Sequence, residues 1–187
     1  MIRLAYFLSL LIMLMLACAR ASLPATSTRI PAQEMSTAAP TQEVTEPSAL
    51  QNSALVDYYD SDRNPAEDLK QAISVAQQEH KRIMLELGGD WCIWCKYMDD
   101  FYKSHPDILQ FRADHYVLVK VNVSPENMNE KFLSPFPIAA GYPHIYILES
   151  DGAFLHSQNT EDLEDGADSY VPEVFMAFLQ KWAPPAK

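Results

Sequence analysis

Residues 88–98 read GGDWCIWCKYM and place two cysteines, Cys92 and Cys95, two residues apart behind a pair of glycines. A short apolar run, Ile83 to Leu87 (IMLEL), comes just before them and predicts a buried strand. From Cys95 onward, apolar residues recur at helical spacing. The expected local structure is therefore a strand, a glycine turn and a helix that begins at Cys92. The pair could be a redox couple, half of a metal site or a structural bridge.

A metal site is the least favoured of these, because a zinc site needs about four ligands. The chain has no second cysteine pair, and its five histidines show no paired spacing: His80, His105, His115, His144 and His156. A purely structural disulfide stays an alternative, although a bridge that closes so short a loop stabilises a protein little. We expect no metal and no other cofactor.

A redox couple suits the position of the pair. The free N–H groups and the dipole of a helix N-terminus favour a thiolate. We expect Cys92 to lie there, exposed, and to attack a substrate disulfide. We expect Cys95, nearly one turn further on, to point inward within disulfide reach and to resolve the mixed disulfide.

The rest of the folded region alternates helices and strands. Tyr116 to Val123 predicts a second strand, and Asp151-Gly152 predicts a hairpin turn between two more. Residues 126–133 are expected to be helical, and the acidic stretch 161–168 is expected to be a solvated loop. The predicted order is α-β-α-α-β-α-β-β-α, which implies parallel pairing across a helix and antiparallel pairing at the hairpin. The fold class is α/β, with a central mixed sheet flanked by helices.

The segment Trp91 to Lys96 (WCIWCK) resembles the W-C-x-x-C-K signature of the thioredoxin superfamily. The resemblance covers roughly residues 64–183 and implies a thioredoxin-like fold. Three further positions agree with it. Glu86 stands where thioredoxins carry a buried aspartate, Lys120 where they carry a lysine beside that acid, and Pro143 where the superfamily has its cis-proline. The resemblance extends to exported thioredoxin-like proteins, including the C-terminal domain of the membrane thiol:disulfide interchange protein, and these are mostly reductive.

The resemblance also implies roles for single residues. Glu86 would take the proton of Cys95 during resolution, or would form only a structural ion pair with Lys120. Pro143 would expose the Tyr142 backbone to an extended substrate peptide. Of the two tryptophans, Trp91 would shield the pair and Trp94 would lie exposed near the substrate. The implied partners are protein disulfide substrates and a thiol electron donor.

The two residues between the cysteines bear on the direction of electron flow. Ile93 and Trp94 are uncharged, and neither is a strong hydrogen-bond donor to Cys92, which favours a reductant. Two alternatives stay open: a disulfide oxidase or isomerase, and a peptide-binding module in which the disulfide is idle. Only an enzyme would reduce a protein disulfide when supplied with a dithiol.

The N-terminal residues 1–17 predict a signal peptide, because an apolar run of suitable length, Leu4 to Leu16, follows a positive charge. The run ends at Ala17 and Cys18, which resemble a bacterial lipobox, where the cysteine is lipidated and becomes the new N-terminus. We expect lipidation of Cys18, and ordinary signal cleavage is the alternative. Mass spectrometry of the mature N-terminus distinguishes them, because an unmodified chain beginning at Arg20 contradicts lipidation.

Residues 18–54 comprise the lipobox cysteine and a predicted disordered tether. After Cys18 this segment has four prolines, ten serines or threonines and no aromatic residue. Such a segment cannot bury enough apolar surface to order itself. Residues 55–187 are the predicted thioredoxin-like domain.

The charge of the chain is concentrated in that domain. Residues 1–54 carry three basic and three acidic side chains, so the whole net charge of -11 belongs to the domain. An acidic domain with no basic run is a poor candidate for binding nucleic acid, and its charge is explained most simply by solubility. We expect a monomer on the periplasmic side of a bacterial membrane, held there by the lipid anchor, or a soluble periplasmic protein if there is no anchor.

Overall fold

The computed structural model describes residues 55–186. The predicted signal peptide, Cys18 and the tether lie outside the described residues. Within the described range, no helix combines the length and the apolar character needed to cross a membrane.

The order of helices and strands in the described residues confirms the order predicted from the sequence. The elements are α1 (Pro65–Glu79), β1 (Arg82–Gly88), α2 (Ile93–Ser104), α3 (Pro106–His115), β2 (Tyr116–Asn122), α4 (Glu130–Leu133), β3 (His144–Leu148), β4 (Phe154–Asn159) and α5 (Pro172–Lys181). A single turn of 3-10 helix, Thr160–Leu163, lies between β4 and α5.

Local sequence explains several of the element boundaries. The side-chain oxygen of Asn64 accepts a hydrogen bond from the Ala66 N–H at 3.0 Å, and Pro65 occupies the first turn of α1. Pro106 likewise begins α3. At the hairpin between β3 and β4, Gly152 has φ +89°, a conformation that glycine adopts without strain.

The four strands form one mixed sheet in the order β2-β1-β3-β4. β1 runs parallel to β2, and this register places Glu86 opposite Lys120. β3 runs antiparallel to both β1 and β4. The prediction of a mixed sheet flanked by helices is therefore confirmed.

Side chains alternate between the two faces of the sheet, and those on each face pack into a separate apolar core. Leu85 and Leu87 pack on the same side as Ala72 and Ala76 of α1. Met84 packs on the opposite side, with residues of α2, α3 and α5. Glu86 is two residues after Met84 in the strand, so it points to the α2 side, where the cysteines are.

Two parts of the predicted secondary structure were wrong. The helix expected over residues 126–133 is confined to Glu130–Leu133, because Asn129 adopts a left-handed φ of +49° and a turn joins Ser124 to Asn127. The acidic stretch is not wholly a solvated loop. It contains the end of the 3-10 turn, where Leu163 is buried in the α2-side core.

Candidate redox-active site

Cys92 and Cys95 are joined by a disulfide at the N-terminus of α2. Cys92 is the N-cap residue, and its Sγ accepts a hydrogen bond from the Cys95 backbone N–H at 3.1 Å. Cys95 lies inside the first turn, on the same buried face as Met98 and Phe101. The backbone N–H groups of this turn can therefore stabilise negative charge on the Cys92 sulfur when the bond is broken.

The expectation that Cys92 is exposed is wrong. Cys92 is 3% exposed and Cys95 is 1% exposed. The two sulfurs lie in a small apolar cluster with the buried ring of Tyr59, and the partly buried Trp94 and Tyr142 pack against it. The two cysteines therefore differ little in solvent exposure. They differ in their positions relative to the N-terminus of α2.

Gly88, the last residue of β1, lets the pair approach the sheet closely. A β-carbon on this residue would overlap the Cys95 Sγ and would lie 2.7 Å from the Tyr59 hydroxyl oxygen. Because glycine has no side chain, the Cys95 sulfur and the Tyr59 ring can occupy the space next to the end of the strand.

A buried ion pair lies on the same side of the sheet as the disulfide. The Lys120 Nζ is 3.3 Å from the Glu86 Oε1, and the two side chains are 1% and 0% exposed. Lys120 also donates a hydrogen bond to Asp99 Oδ1 at 2.5 Å. The buried Lys120 ammonium thus contacts two carboxylates. The three side chains together carry one net negative charge when all are ionised.

The electrostatics of this group follow from burial and from these contacts. Burial alone lowers the pKa of Lys120, but Glu86 and Asp99 outweigh it and raise that pKa above its usual value. Burial raises the pKa of Asp99, in spite of the opposing effect of Lys120. Lys120 therefore stays protonated at neutral pH and holds its charge beside Glu86.

Tyr59 completes the group from a segment that precedes α1. Its hydroxyl donates a hydrogen bond to Glu86 Oε1 at 2.7 Å, and the Lys120 Nζ lies 4.6 Å from the centre of its ring. Burial, and next the charge of Glu86, raise the pKa of Tyr59 well above its usual value. The phenol is therefore neutral and keeps its proton at physiological pH.

Asp99 and Tyr59 were not predicted from the sequence as residues of this site. A signal existed for Asp99, which lies four residues after Cys95 and so shares its side of α2. No local signal pointed to Tyr59, which is 27 residues from Glu86 along the chain and belongs to no helix or strand.

The expectation that Trp94 is exposed is wrong, and Trp91 is the more exposed of the two tryptophans. Trp91 is 57% exposed, since its indole N–H donates to the Val123 carbonyl at 2.8 Å and holds the ring at the surface. Trp94 is half-buried and packs edge-on against Tyr170, at a ring-centroid distance of 5.8 Å, as well as against the cysteine cluster. Trp94 therefore packs against the cluster that contains the disulfide.

The peptide bond between Tyr142 and Pro143 is cis, as predicted. The Thr160 hydroxyl donates a hydrogen bond to the Pro143 carbonyl at 2.5 Å, which ties this turn to the 3-10 segment. The Tyr142 ring packs against the cysteine cluster and meets Trp91 edge-on at 5.7 Å. The loop before β3 thus lies beside the disulfide, next to an exposed aromatic side chain.

The site holds no obvious metal-binding arrangement. Within residues 55–186, no three His, Cys, Asp or Glu side chains come together as metal ligands would. This arrangement can make and break the disulfide. The nearby carboxylates of Glu86 and Asp99 can take up a proton.

Comparison with known proteins gives similarities in sequence and in fold. Residues 64–150 match a family model described as thioredoxin-like. The disulfide bond reductase DsbH of Chlamydia pneumoniae is 27% identical over 117 residues, which cover 58% of this chain and 69% of that protein. The thiol:disulfide interchange protein DsbD of Salmonella typhi is 31% identical over 86 residues, which cover 46% of this chain.

Among solved structures, the disulphide isomerase from Xylella fastidiosa Temecula1 has a TM-score of 0.57 at 23% identity and covers 68% of this chain and 98% of that one. At that identity the likeness shows the fold alone. The chain spans only 15% of the length of the Salmonella protein.

Proposed function

We propose that the protein is an extracytoplasmic thiol-disulfide oxidoreductase that reduces protein disulfides. The proposal is supported by the thioredoxin-like domain, the Cys92–Cys95 disulfide and the similarity to disulfide oxidoreductases. The observation that supports this most directly is the disulfide at the N-terminus of α2, backed by a buried acid. The thioredoxin-like fold class predicted from the sequence is confirmed.

The reaction proceeds in two exchanges between sulfur atoms. In the reduced protein, the Cys92 thiolate attacks a substrate disulfide, forms a mixed disulfide and releases one substrate thiolate. Cys95 then loses its proton and attacks the Cys92 sulfur, which releases the second substrate thiolate and forms the Cys92–Cys95 disulfide. The substrate gains the two electrons that the pair loses, and a thiol donor restores the pair.

The charges behind the sulfurs favour the reductive direction. Strong oxidants of this kind are those whose reduced, thiolate form is stabilised. Here the N–H groups of α2 stabilise the Cys92 thiolate, but Glu86 and Asp99 share a single Lys120, and their excess negative charge disfavours a thiolate nearby. A less stable thiolate makes the disulfide the preferred state, which is the property of a reductant.

The names of the similar proteins are consistent with this direction. The similar Chlamydia protein is named a disulfide bond reductase and the Salmonella protein a thiol:disulfide interchange protein. An extracytoplasmic location suits both the isolated cysteine pair and the predicted signal peptide. Lipidation of Cys18 and the tether stay predictions about residues outside the described range.

A turnover assay tests the proposed function. Supplied with dithiothreitol, the protein should reduce the disulfides of a folded protein substrate such as insulin well above the rate of dithiothreitol alone. Cys92→Ser should reduce the rate to that background, because the serine hydroxyl cannot act as the attacking sulfur. A wild-type rate no higher than background would support the peptide-binding alternative instead.

A further inference from the structure

The Tyr59 side chain contacts both the buried acid and the cluster that contains the redox pair. Its hydroxyl donates to Glu86 Oε1 at 2.7 Å. The hydroxyl oxygen and the Cys95 Sγ lie 2.7 Å and 2.4 Å from the place of a β-carbon on Gly88, so the two atoms are at most 5.1 Å apart. Tyr59 and the two cysteines form one buried cluster, so the hydroxyl is shielded from bulk water.

We propose that Tyr59 relays the proton of Cys95 to Glu86 when Cys95 resolves the mixed disulfide. The inference rests on the proposed function and assigns a role to a residue outside the matched family region, which begins at residue 64. A hydroxyl can accept one proton while it donates another, and this one already points at the carboxylate.

The relay balances at each step. Cys95 passes its proton to the Tyr59 oxygen as Tyr59 passes its own hydroxyl proton to Glu86. The phenol ends as it began, Cys95 becomes a thiolate, and Glu86 becomes a carboxylic acid. The thiolate then displaces the substrate sulfur from Cys92, and Glu86 returns the proton when a thiol donor reduces the pair.

The surroundings keep Tyr59 neutral through this cycle. The titratable groups that raise its pKa are Glu86 on β1, Asp99 on α2 and Tyr170 before α5. The Lys120 ammonium on β2 also faces its ring. The proton that Tyr59 passes on arrives at Glu86 Oε1, the oxygen that accepts its hydrogen bond. Within the described residues, the other oxygen, Glu86 Oε2, is buried and has no hydrogen-bond partner. The raised pKa of Tyr59 means that it passes protons on and does not become a phenolate.

A two-phase exchange with 5,5′-dithiobis(2-nitrobenzoate) tests the relay. One equivalent of this aromatic disulfide reacts with the reduced protein and releases one coloured thiolate when Cys92 attacks and a second when Cys95 resolves. Tyr59→Phe should leave the first phase unchanged and slow the second by about tenfold or more, since a positioned proton acceptor contributes roughly 10²–10⁴-fold. The deficit should shrink at high pH, where hydroxide deprotonates Cys95 directly.

The matched control is Tyr58→Phe, a neighbouring tyrosine that is 56% exposed and should behave as wild type in both phases. Glu86→Gln should slow the second phase as Tyr59→Phe does, and the double variant should be no slower than either, because both residues lie on one proton route. Thermal unfolding of each variant separates this effect from a loss of structure.

Two results would overturn the relay. One is that the rate of the second phase in Tyr59→Phe equals the wild-type rate across the pH range. The other is that Tyr59→Phe slows the second phase by the same factor at every pH, and that this effect is additive with that of Glu86→Gln. Tyr59 would then have a packing role only. If wild-type protein releases the first thiolate and never the second, the proposed function itself fails, and the relay fails with it.

Discussion

Covalent complexes with partner proteins should accumulate on a Cys95→Ser variant and be almost absent from a Cys92→Ser variant. Cys92 is the N-cap of α2, and its sulfur accepts a hydrogen bond from the Cys95 N–H. The thiolate of Cys92 is therefore more stable than that of Cys95, and Cys92 is the attacking group. Cys95 is the only other cysteine in residues 55–186, so within this part of the chain it alone can break the bond that Cys92 makes with a substrate. Without it, the domain has no second thiol to release the mixed disulfide.

Non-reducing gels and intact-mass measurements after exposure to extracytoplasmic proteins would show the difference, which should be at least about tenfold in trapped material. The double variant, with both cysteines replaced by serine, controls for non-covalent association and should trap nothing. Trapping by Cys92→Ser and not by Cys95→Ser would reverse the roles of the two sulfurs. That outcome would show that the helix N-terminus does not select the attacking group.

Lys120→Met should lower the free energy of unfolding by about 3–5 kcal/mol, because it leaves buried carboxylate charge without its cation. The Lys120 and Glu86 side chains are 1% and 0% exposed, so water cannot replace the lost partner. Urea unfolding of the oxidised protein measures the loss. Replacing the pair together, as Lys120→Met with Glu86→Leu, should recover much of it, since a buried ion pair is often no better than apolar packing.

The control is Lys103→Met, which removes the lysine of a surface pair with Asp100. Those side chains are 72% and 69% exposed, and the substitution should change stability by no more than about 0.5 kcal/mol. A loss of less than about 1 kcal/mol in Lys120→Met would mean that the carboxylates find other compensation. Glu86 would then be a poor candidate for the source of the negative charge that disfavours a thiolate at the redox pair.

Those features of the site that depend on local pattern could be predicted from the sequence. The glycine pair, the cysteine spacing and the apolar run before them predicted the strand, turn and helix, because each is set by neighbours in the chain. Glu86 and Lys120 were paired by the resemblance to a family. The structure adds the physical reason, which is that the parallel register of β1 and β2 places them opposite each other.

Features that depend on long-range packing could not be predicted. Cys92 is at the expected helix position, but the burial of its side chain depends on Tyr59 and Tyr142, which approach from distant segments. Trp91 is turned outward by a hydrogen bond to the Val123 carbonyl, 32 residues away. Spacing along the chain carries no information about either contact.

The reduction potential of the Cys92–Cys95 couple, measured by equilibration with glutathione and counting of free thiols, tests the central claim most directly. With excess carboxylate charge behind the sulfurs, the pair should be a reductant with a potential below about −200 mV, toward the thioredoxin value of roughly −270 mV. In a glutathione buffer typical of an oxidising compartment it should then be found mostly as the disulfide. A potential near −120 mV, roughly that of a strong oxidant, would contradict a reductive role and make the protein a donor of disulfides.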